Sequence, residues 1–580
     1  MDIFDVLTLI GGLCLFLFGM DVMGESLKRA AGDSLRNILG KLTNNKFLGF
    51  LTGLAVTAVI QSSSATTVMV VGFVNSSLMT LKQAISVIFG ANVGTTITAW
   101  ILSLSGISGE NLVIQLLKPS SFTPVLALIG IVLQMTAKTS KKKDVGAILL
   151  GFATLMFGMD AMSGAVSGLR DIPAFQQMFI LFTNPILGVL VGAVLTAIIQ
   201  SSSASVGILQ ALSVTGQVTN GAAIPIIMGQ GIGTCVTAMI SSVGTNRNAR
   251  RAALVHLSIN VIGTIVWLVV FWIFKVIFAP VLLTEAANYL SIAIINTAFK
   301  ALNTALLLPM SGLLEKLAYV ILPDAEAPEK TSILDERLMA TPAIALAQSR
   351  AVALEMAECS VDCLKKALSS LENYSSALAK EIRQGEDLSD QYEDILGSYL
   401  VKLSAMNMSD SDERETTMLL KLIGDFERIS DHSVNILESA EEMREKDLAF
   451  SPAAQREISV LTAAVSEILD LSLEAFRTGD IHTIYSVEPL EQVIDRLKEI
   501  LRTNHILRLQ QGECTIHVGF VWSDLLTNLE RTADHCSNIA GCLIDMKSQD
   551  MNTHAHLRAM KASGGDFMKQ LEAYSNKYAI

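Results

Sequence analysis

Residues 61–65 of the chain read Gln-Ser-Ser-Ser-Ala, and the same five residues return at positions 200–204. The match extends without a gap over residues 18–98, with 27 identities in 81 positions when residue n is compared with residue n+139. The pattern Gly-x-x-x-Gly-Thr at residues 90–95 returns at residues 229–234 in the same alignment. Because the identities are polar and clustered, they indicate an internal duplication rather than chance similarity between apolar segments.

The apolar segments beside each polar run are too short to cross a membrane as separate helices. They cover Phe47–Ile60 and Thr66–Val74 in the first copy, and Ile186–Ile199 and Val206–Leu212 in the second. A transmembrane helix needs about 20 apolar residues. Each copy therefore predicts a helical hairpin that enters and leaves on one side, with the polar run at its tip. Irregular backbone at that depth is tolerated only where it lines a cavity.

The chain divides into two parts of different composition. Residues 1–325 carry 12 acidic and 18 basic side chains, whereas residues 326–580 carry 43 acidic and 25 basic ones. The first part is thus about 9% charged and the second about 27%, and soluble domains are about one quarter charged. The composition predicts a membrane-embedded first part and a soluble, acidic, helical second part. It excludes a disordered, collagen-like or disulfide-framework protein.

Basic residues indicate how the two copies are oriented. Five basic residues lie between Asp21 and Phe47, whereas the stretch after Asp160 carries only Arg170. The bias reverses at the other end, where the second copy has three arginines within residues 247–251. Because basic residues accumulate on the cytoplasmic side, the two repeats are expected to be inverted. The N-terminus would lie outside, and the chain after about residue 312 would lie in the cytoplasm.

The hairpins contain no ionisable side chain. Neither residues 47–80 nor residues 182–239 include Asp, Glu, Lys, Arg or His. Backbone N–H groups at a helix start bind anions, and neutral side-chain and carbonyl oxygens suit a hard cation such as Na⁺. A proton-coupled carrier usually needs a titratable group in its core. The sequence therefore favours an anion site coupled to sodium, although Asp21 and Asp160 leave proton coupling open.

A second duplication lies in the soluble part, at an offset of 103 residues. Residues 427–432 read Glu-Arg-Ile-Ser-Asp-His, and residues 530–535 read Glu-Arg-Thr-Ala-Asp-His. Residues four apart share one helix face, so each block presents two carboxylates together, and converging carboxylates bind hard or borderline metal ions. With two further pairs at this spacing, the candidate metal ligands are Glu386, Asp390, Glu427, Asp431, Glu491, Asp495, Glu530 and Asp534.

These motifs resemble two known families. The paired Gln-Ser-Ser-Ser runs resemble the type II sodium-dependent phosphate cotransporter family over roughly residues 1–315, and His256-x-x-x-Asn260-x-x-Gly263 is similar to a helix that follows its second repeat. The repeated acidic block resembles the PhoU domain, a tandem of three-helix bundles, over about residues 340–560. The first resemblance implies Na⁺-driven uptake of inorganic phosphate. The second implies a regulator of phosphate uptake whose motifs hold iron or zinc in some members.

The cotransporter resemblance implies one site for phosphate and sodium between the repeats. Its residues would be Gln61, Ser62, Ser63, Ser64, Thr66, Asn92, Thr95, Thr96, Gln200, Ser201, Ser202, Ser203, Gln230 and Thr234. The expected fold is all-α, with two inverted membrane repeats and re-entrant hairpins before a PhoU-like tandem bundle. The expected bounds are 1–137 and 145–250 for the repeats, 138–144 for a basic linker, 251–315 for further membrane helices, 316–339 for a second linker, 340–560 for the PhoU-like domain and 561–580 for a tail.

Alternatives in two classes remain open. One is a carrier of another tetrahedral oxyanion, or an exporter, and the other is a membrane-anchored sensor of phosphate or metal that does not translocate its ligand. An enzyme is not expected, because Ser63 lies outside a Gly-x-Ser-x-Gly turn and the chain has no Gly-x-x-x-x-Gly-Lys motif. The expected partners are phosphate, sodium and the lipid of a bacterial plasma (inner) membrane, without nucleic acid. A cytoplasmic regulatory protein or a second copy of the chain stays open.

Overall fold

The computed structural model describes residues 3–31, 45–107, 115–116, 118–167, 184–278, 281–324, 333–548 and 566–580. The chain divides into two compact units, residues 1–345 and residues 346–580. Within the described ranges all regular secondary structure is helical, apart from one isolated bridge between Thr219 and Ala286. The predicted all-α class is therefore confirmed.

Unit 1 contains the apolar helices. They are α1 (Ile3–Ala30), α2 (Lys46–Ile60), α3 (Ser63–Asn75), α4 (Leu81–Gly94), α5 (Thr96–Ser103), α6 (Pro119–Thr136), α7 (Ser140–Ser167), α8 (Pro185–Ile199), α9 (Ser202–Ser213), α10 (Asn220–Ser241), α11 (Arg247–Phe278), α12 (Tyr289–Leu307) and α13 (Ser311–Ile321). Among the described residues, seven helical segments are long and apolar enough to cross a membrane. Unit 1 is therefore built as a multi-pass membrane domain.

The equivalent helices α1 and α7 pack antiparallel. Gly12 of α1 faces Gly158 of α7, and Gly19 faces Gly151, so residue numbers rise along one helix as they fall along the other. A Cβ atom on Gly12 would lie 3.0 Å from the carbonyl oxygen of Gly158, and one on Gly151 would lie 2.9 Å from that of Gly19. Small residues permit this close approach of two membrane helices. Antiparallel packing of equivalent helices is what inverted repeats require.

The basic stretch 138–144 is mostly helical. Helix α7 begins at Ser140, and its buried Asp144 accepts a hydrogen bond from Arg29 Nε at 2.8 Å. This ion pair joins the last turn of α1 to the beginning of α7. The residues that were predicted to form a linker therefore contribute to the contact between the two repeats.

The helices of the predicted hairpins are short. α2 and α3 have 15 and 13 residues, and α8 and α9 have 15 and 12. At about 1.5 Å per residue these helices extend over about 18–23 Å, less than the ~30 Å hydrocarbon core of a bilayer. Their lengths agree with the prediction of re-entrant hairpins.

The first arm of each hairpin packs tightly against the helix that follows the hairpin. α2 contacts α4 through Gly53 and Gly90, and α8 contacts α10 through Gly192 and Gly229. A Cβ atom at any of these four positions would overlap a backbone carbonyl oxygen of the neighbouring helix. We call α4 and α10 the scaffold helices. In both repeats, glycine therefore determines how closely the hairpin approaches its scaffold helix.

Unit 2 consists of two groups of three long helices and a C-terminal helix. The helices are α14 (Pro342–Ser370), α15 (Ser376–Ser404), α16 (Asp410–Glu445), α17 (Pro452–Thr478), α18 (Ile481–Gln510), α19 (Ile516–Ser548) and α20 (Asp566–Lys577). α16 packs against α19, so the two groups share a core. The predicted tandem of three-helix bundles is confirmed. The predicted tail contains α20, which packs against α18 and buries Phe567 and Leu571.

Local sequence signals explain the boundaries of these helices. Ser451 caps α17, Pro452 is its first residue, and Gly479 ends it in the left-handed region at φ 63°. Asp480 then caps α18 by accepting a hydrogen bond from Thr483 N at 3.0 Å. Serine and aspartate accept hydrogen bonds from the free N–H groups at a helix start, proline fits the first turn, and glycine readily adopts the left-handed conformation that ends a helix.

Candidate functional site

Each hairpin turns at a glutamine in a left-handed backbone conformation. Gln61 follows α2 with φ 59° and ψ 19°, and Gln200 follows α8 with φ 57° and ψ 20°. The next residues, Ser62 and Ser201, are extended and cap α3 and α9, each hydroxyl accepting a backbone N–H at 3.2 Å. Residues other than glycine seldom adopt positive φ. Such backbone conformations cluster at functional sites, and here the same one occurs at equivalent positions of both repeats.

A pair of hydroxyl groups holds the two arms of each hairpin together. Thr57 Oγ1 donates to Thr66 Oγ1 at 3.0 Å in the first hairpin. Thr196 Oγ1 donates to Ser205 Oγ at 2.8 Å in the second. These side chains are fully buried. The hydroxyl group of Thr66, a predicted binding residue, therefore forms the hydrogen bond that joins the two arms of the first hairpin.

The two hairpin tips meet at a polar cavity of about 360 Å³. Ser64 Oγ donates to the carbonyl oxygen of Gln200 at 3.5 Å, so the tips are in contact. The N-terminal ends of α3 and α9 adjoin the cavity, and helix starts carry unpaired N–H groups and a positive dipole end. The predicted residues that line the cavity are Gln61, Ser62, Ser63, Ser64, Thr95, Gln200, Ser201, Ser202 and Ser203.

Helix α1 adds charged side chains, of which the sequence had drawn attention only to Asp21. Asp21, Glu25 and Lys28 line the same cavity. Lys28 Nζ donates to Glu25 Oε1 at 2.6 Å. The lining therefore combines the neutral groups of the hairpin tips with charged groups of α1, of which Asp21 was left open by the sequence. The spacing of these residues, i, i+4 and i+7, puts them on one helix face, and this is the signal that could have revealed them.

The remaining predicted binding residues lie outside the cavity lining. They are Thr66, Asn92, Thr96, Gln230 and Thr234. Thr96 Oγ1 donates to the carbonyl oxygen of Val93 at 2.8 Å, and Thr234 Oγ1 to that of Gln230 at 2.8 Å. Both hydroxyl groups therefore bond within their own stretch of helix.

Asn92 contacts α11, the helix that carries the family-like His256 pattern. His256 Nε2 lies 3.2 Å from Asn92 Oδ1, and Asn260 Nδ2 donates to the carbonyl oxygen of His256 at 2.9 Å. A Cβ atom on Gly231 would lie 2.9 Å from Asn260 Oδ1. The neighbouring Gln230 is only 2% exposed. The structure thus forms a second, buried polar group from α4, α10 and α11.

In unit 2 one of the two predicted carboxylate groups comes together. Oxygens of Glu386, Asp390 and Asp431 lie within 4.8 Å of one another. Burial, and then the charge of Asp431, raises the pKa of Glu427 to about 7. The pKa values of Glu386 and Asp390 are also raised, first by burial and then by neighbouring carboxylates. An all-carboxylate donor set fits a hard or borderline metal ion.

The equivalent carboxylates of the second copy form no such group among the described residues. Glu530 Oε1 lies 2.8 Å from Lys498 Nζ, on the preceding helix. Burial raises the pKa of Asp534, with further contributions from the charges of Glu530 and Asp495. In the first copy the nearby cation is Arg428, which lies 3.4 Å from oxygens of both Glu427 and Asp431.

The two acidic blocks contact each other through their histidines. His432 Nδ1 lies 2.9 Å from Asn528 Oδ1, and His535 Nδ1 lies 2.9 Å from Asp425 Oδ1. Positions 425 and 528 are equivalent in the duplication. Each histidine therefore contacts the other copy.

Comparison with known proteins assigns a family to each unit. Residues 15–164 and 173–303 match the Na⁺/Pi-cotransporter family, and residues 353–440 and 458–543 match the PhoU domain. The chain is 23% identical over 555 residues to the putative inorganic phosphate export protein YjbB of Escherichia coli K12, covering 94% of this chain and 98% of that protein. It is 36% identical over 101 residues to the human sodium-dependent phosphate transport protein 2B, covering 17% of this chain and 15% of that protein.

Solved structures of PhoU proteins are similar to part of the chain. The crystal structure of PhoU from Pseudomonas aeruginosa is 24% identical, with a TM-score of 0.34, and the match covers 35% of this chain and 97% of that chain. The two family matches fall on the two units whose motifs predicted them. The chain therefore belongs to the Na⁺/Pi-cotransporter family and carries a PhoU domain after its membrane unit.

Proposed function

We propose that unit 1 transports inorganic phosphate together with Na⁺, and that the cavity at the two hairpin tips is the binding site. The observation that best supports this proposal is the meeting of two equivalent helix N-termini at one polar cavity. Helix N-termini bind anions through their free N–H groups. Broken helices at corresponding places in two inverted repeats are typical of the central site of a secondary transporter.

The charges around the cavity favour binding of a cation with the anion. Asp21 and Glu25 are acidic and Lys28 is basic, which leaves one net negative charge in the lining. Phosphate adds further negative charge, and uncompensated charge inside a membrane is costly. Sodium ions that bind with phosphate would supply the compensation. The hydroxyl and amide oxygens of the tips are suitable ligands for them.

The predicted residues receive two roles in this proposal. Those that line the cavity would bind phosphate and sodium directly. Thr66, Thr96 and Thr234 would act through the shape of the helices, because their hydroxyl groups already bond within unit 1. Asn92 and Gln230 would reach the ions only if α4 and α10 moved during transport.

The proposal is tested with the purified full chain in proteoliposomes. Uptake of radiolabelled phosphate is measured under an inward Na⁺ gradient and under a matched K⁺ gradient, with and without excess sulfate. We expect accumulation that requires Na⁺ and that sulfate does not abolish. Equal uptake with K⁺ would exclude sodium coupling. Saturable phosphate binding without any flux would instead support a sensor.

Net uptake is the proposed direction, because the sodium gradient of a living bacterium is directed inward. Export is the second candidate, since the relative from Escherichia coli that matches nearly the whole chain is named a putative phosphate export protein. Cells that express the chain would be given a phosphate load in sodium medium and in potassium medium. Uptake predicts a sodium-dependent rise in cell phosphate, whereas export predicts a fall.

We also propose a plasma-membrane location with the N-terminus outside and the PhoU domain in the cytoplasm. Basic helix ends from both repeats support this orientation. Arg29 at the end of α1 pairs with Asp144 near the start of α7, which the lysines of residues 141–143 precede. In the second repeat, three basic residues lie at the start of α11. Modification of substituted cysteines at these ends by a membrane-impermeant reagent, compared in intact and opened cells, tests the orientation.

We propose that Glu386, Asp390 and Asp431 hold a divalent metal ion such as iron or zinc, with Glu427 beside them. Their oxygens are already close enough for one ion. The raised pKa values reflect repulsion and burial that a cation would relieve. Isothermal titration of the metal-free chain with Zn²⁺ tests the proposal.

Glu427→Gln is expected to stabilise the metal-free chain at alkaline pH and to weaken metal binding. Folding raises the pKa of Glu427 from 4.5 to about 7, so ionisation of this carboxyl group is less favourable in the folded state than in the unfolded state. The wild type therefore loses stability as the pH rises from 4.5 to about 7. The melting temperature of unit 2 should therefore exceed that of the wild type by about 2 °C or more at high pH, with no gain below the ordinary pKa of glutamate. Melting curves over a pH series measure the difference.

The duplication offers a matched control for this variant. Glu530→Gln changes the equivalent residue, which already pairs with Lys498. This variant should not stabilise the metal-free chain and should leave Zn²⁺ affinity unchanged. A stability gain that is the same for both variants, or independent of pH, would contradict the proposed role of Glu427.

A further inference from the structure

The last residues of unit 1 form a segment that is seated on the membrane helices. We call residues 333–341 the strap. The strap leads directly into α14, the first long helix of the PhoU region. Its Asp335 is only 2% exposed and its Leu338 is fully buried, although both residues lie within the predicted linker 316–339. Burial of a carboxylate is costly unless it is paired, so the strap occupies a specific binding surface on the membrane helices. We call this surface, formed by Gly72, Asn75, Ser241 and Val243, the seat.

The strap contacts both repeats. Asp335 Oδ2 accepts a hydrogen bond from Asn75 Nδ2 at 2.6 Å, at the C-terminal end of α3 in the first repeat. Arg337 Nε donates to the carbonyl oxygen of Ser241 at 2.5 Å, and Arg337 Nη2 donates to that of Val243 at 3.0 Å. The last two residues lie at the end of α10 in the second repeat. The strap therefore joins the return arm of the first hairpin to the other repeat.

Within the strap, Asp335 and Arg337 support each other. Arg337 N donates to Asp335 Oδ1 at 2.8 Å, and Arg337 Nη1 lies 3.0 Å from Asp335 Oδ2. Asn75 also accepts a hydrogen bond from Asn246 N through Oδ1 at 2.8 Å. Release of the first repeat would leave the buried carboxylate of Asp335 without Asn75, and release of the second would leave Arg337 without the carbonyl oxygens of Ser241 and Val243. Such an arrangement favours two states, seated and released, over gradual loosening.

The hairpin part of the seat exists on the first hairpin and not on the second. Leu338 packs against Gly72, where a Cβ atom would lie 3.0 Å from Leu338 Cδ2. The residues equivalent to Gly72 and Asn75 in the second repeat are Ala211 and Val214, and valine lacks the amide that binds Asp335. The strap is therefore specific for one of two otherwise similar hairpins.

The strap also contacts a residue of the candidate site. Lys28 Nζ, whose side chain lines the cavity, donates to the carbonyl oxygen of Ala340 at 3.4 Å. A shift of the strap would therefore change the surroundings of Lys28, and through them the charge balance of the cavity.

We propose that the strap is the element through which the PhoU domain regulates transport. When it is seated, it fixes the first hairpin to the second repeat and holds the transporter in a resting conformation. Transport by inverted repeats requires one part to move against the other, so each cycle needs the strap to be released. A change in the PhoU domain that pulls on α14 would shift this equilibrium. The inference rests on the proposed transport function.

A disulfide between the strap and the hairpin tests the proposal directly. The Cβ atom of Arg337 lies 3.5 Å from the position a Cβ atom would take on Gly72, within the range of disulfide-bonded cysteines. The double variant Gly72→Cys, Arg337→Cys is made in the full chain. We expect the oxidised form, with the disulfide verified by peptide mapping, to show at least a tenfold lower sodium-driven phosphate flux. Reduction should restore the flux.

The controls separate this proposal from the transport function itself. Wild type and the single variants Gly72→Cys and Arg337→Cys receive the same oxidant, and the oxidant should not change the flux that each shows before treatment. If wild type carries no phosphate in any condition, the transport function fails, while disulfide formation still reports whether the strap is seated. Normal flux through the verified disulfide form, or failure of the disulfide to form, would overturn the role of the strap.

A second variant releases the strap instead of locking it. Asp335→Ala removes the carboxylate that binds Asn75 and Arg337. We expect faster deuterium exchange in residues 66–80 and a higher phosphate flux, by about twofold or more, at equal amounts of folded protein. Unchanged exchange together with unchanged flux would contradict the proposal.

Discussion

Ser63→Ala and Ser202→Ala should each lower the apparent phosphate affinity by about tenfold or more while the protein stays folded. Both serines line the cavity at the first residue of α3 and α9, where the two tips meet. A hydrogen bond to a charged group contributes about 1.5–3 kcal/mol, and each 1.4 kcal/mol is about a factor of ten in affinity. Loss of one hydroxyl oxygen changes little volume, so packing should not suffer.

The measurement is a series of phosphate uptake rates at fixed Na⁺ over a range of phosphate concentrations. Ser258→Ala is the matched control, because Ser258 bonds to the carbonyl oxygen of Leu254 in its own helix and does not line the cavity. Melting curves in detergent verify that all three variants are folded. Wild-type uptake curves for both Ser63→Ala and Ser202→Ala would remove these serines from the binding site.

Gly53→Ala and Gly192→Ala should each destabilise unit 1 severely. The added Cβ atom would overlap the carbonyl oxygen of Val87 in the first repeat and that of Ile226 in the second. Both are backbone atoms of a scaffold helix, so the clash cannot be relieved by rotation of a side chain. Overpacking of this kind costs about 1–3 kcal/mol or more, and the hairpin would have to move away from its helix.

Thermal unfolding of the purified variants in detergent measures this effect, together with the yield of monodisperse protein. Gly11→Ala and Gly164→Ala serve as controls, because a Cβ atom at either position has no neighbour within 4 Å. These two should melt like the wild type or slightly higher, since alanine favours a helix over glycine. Equal melting temperatures for all four variants would show that the hairpins are not closely packed.

The two hairpins could be predicted because their pattern is visible in the sequence alone. A polar run between short apolar arms, repeated at a fixed offset, has few structural solutions in a membrane. The conformation of Gln61 was not predictable, because glutamine has no intrinsic preference for positive φ. Only the packing of both arms, fixed by the glycine contacts and the Thr57–Thr66 bond, requires that turn.

The parts of the site that escaped prediction come from residues far from the motif in sequence. Glu25 and Lys28 precede Gln61 by more than thirty residues, and periodicity alone does not tell which helix face meets the hairpin tips. The strap escaped for a related reason. Charged residues such as Asp335 and Arg337 between two domains usually remain in water, and only tertiary contacts reveal that Asp335 is buried.

In unit 2 the repeated acidic motif predicted candidate metal ligands in both copies, and the structure brings carboxylates together in the first copy. One difference lies outside the motif, where Lys498 of another helix pairs with Glu530. A motif records which groups repeat but not which neighbours compensate them. Pairing with one cation from another helix is enough to change the electrostatics of a copy.

The crossing of α1 and α7 has the symmetry of a homodimer interface. Gly12 faces Gly158, which is the counterpart of Gly19, and Gly19 faces Gly151, which is the counterpart of Gly12. The same surface is thus used by both partners, as in an isologous association around a twofold axis. A single ancestral repeat that inserted into the membrane in both orientations could already have paired through this glycine surface. Lys28 and Asn75, whose counterparts are Ser167 and Val214, depart from this symmetry and occur on one side only.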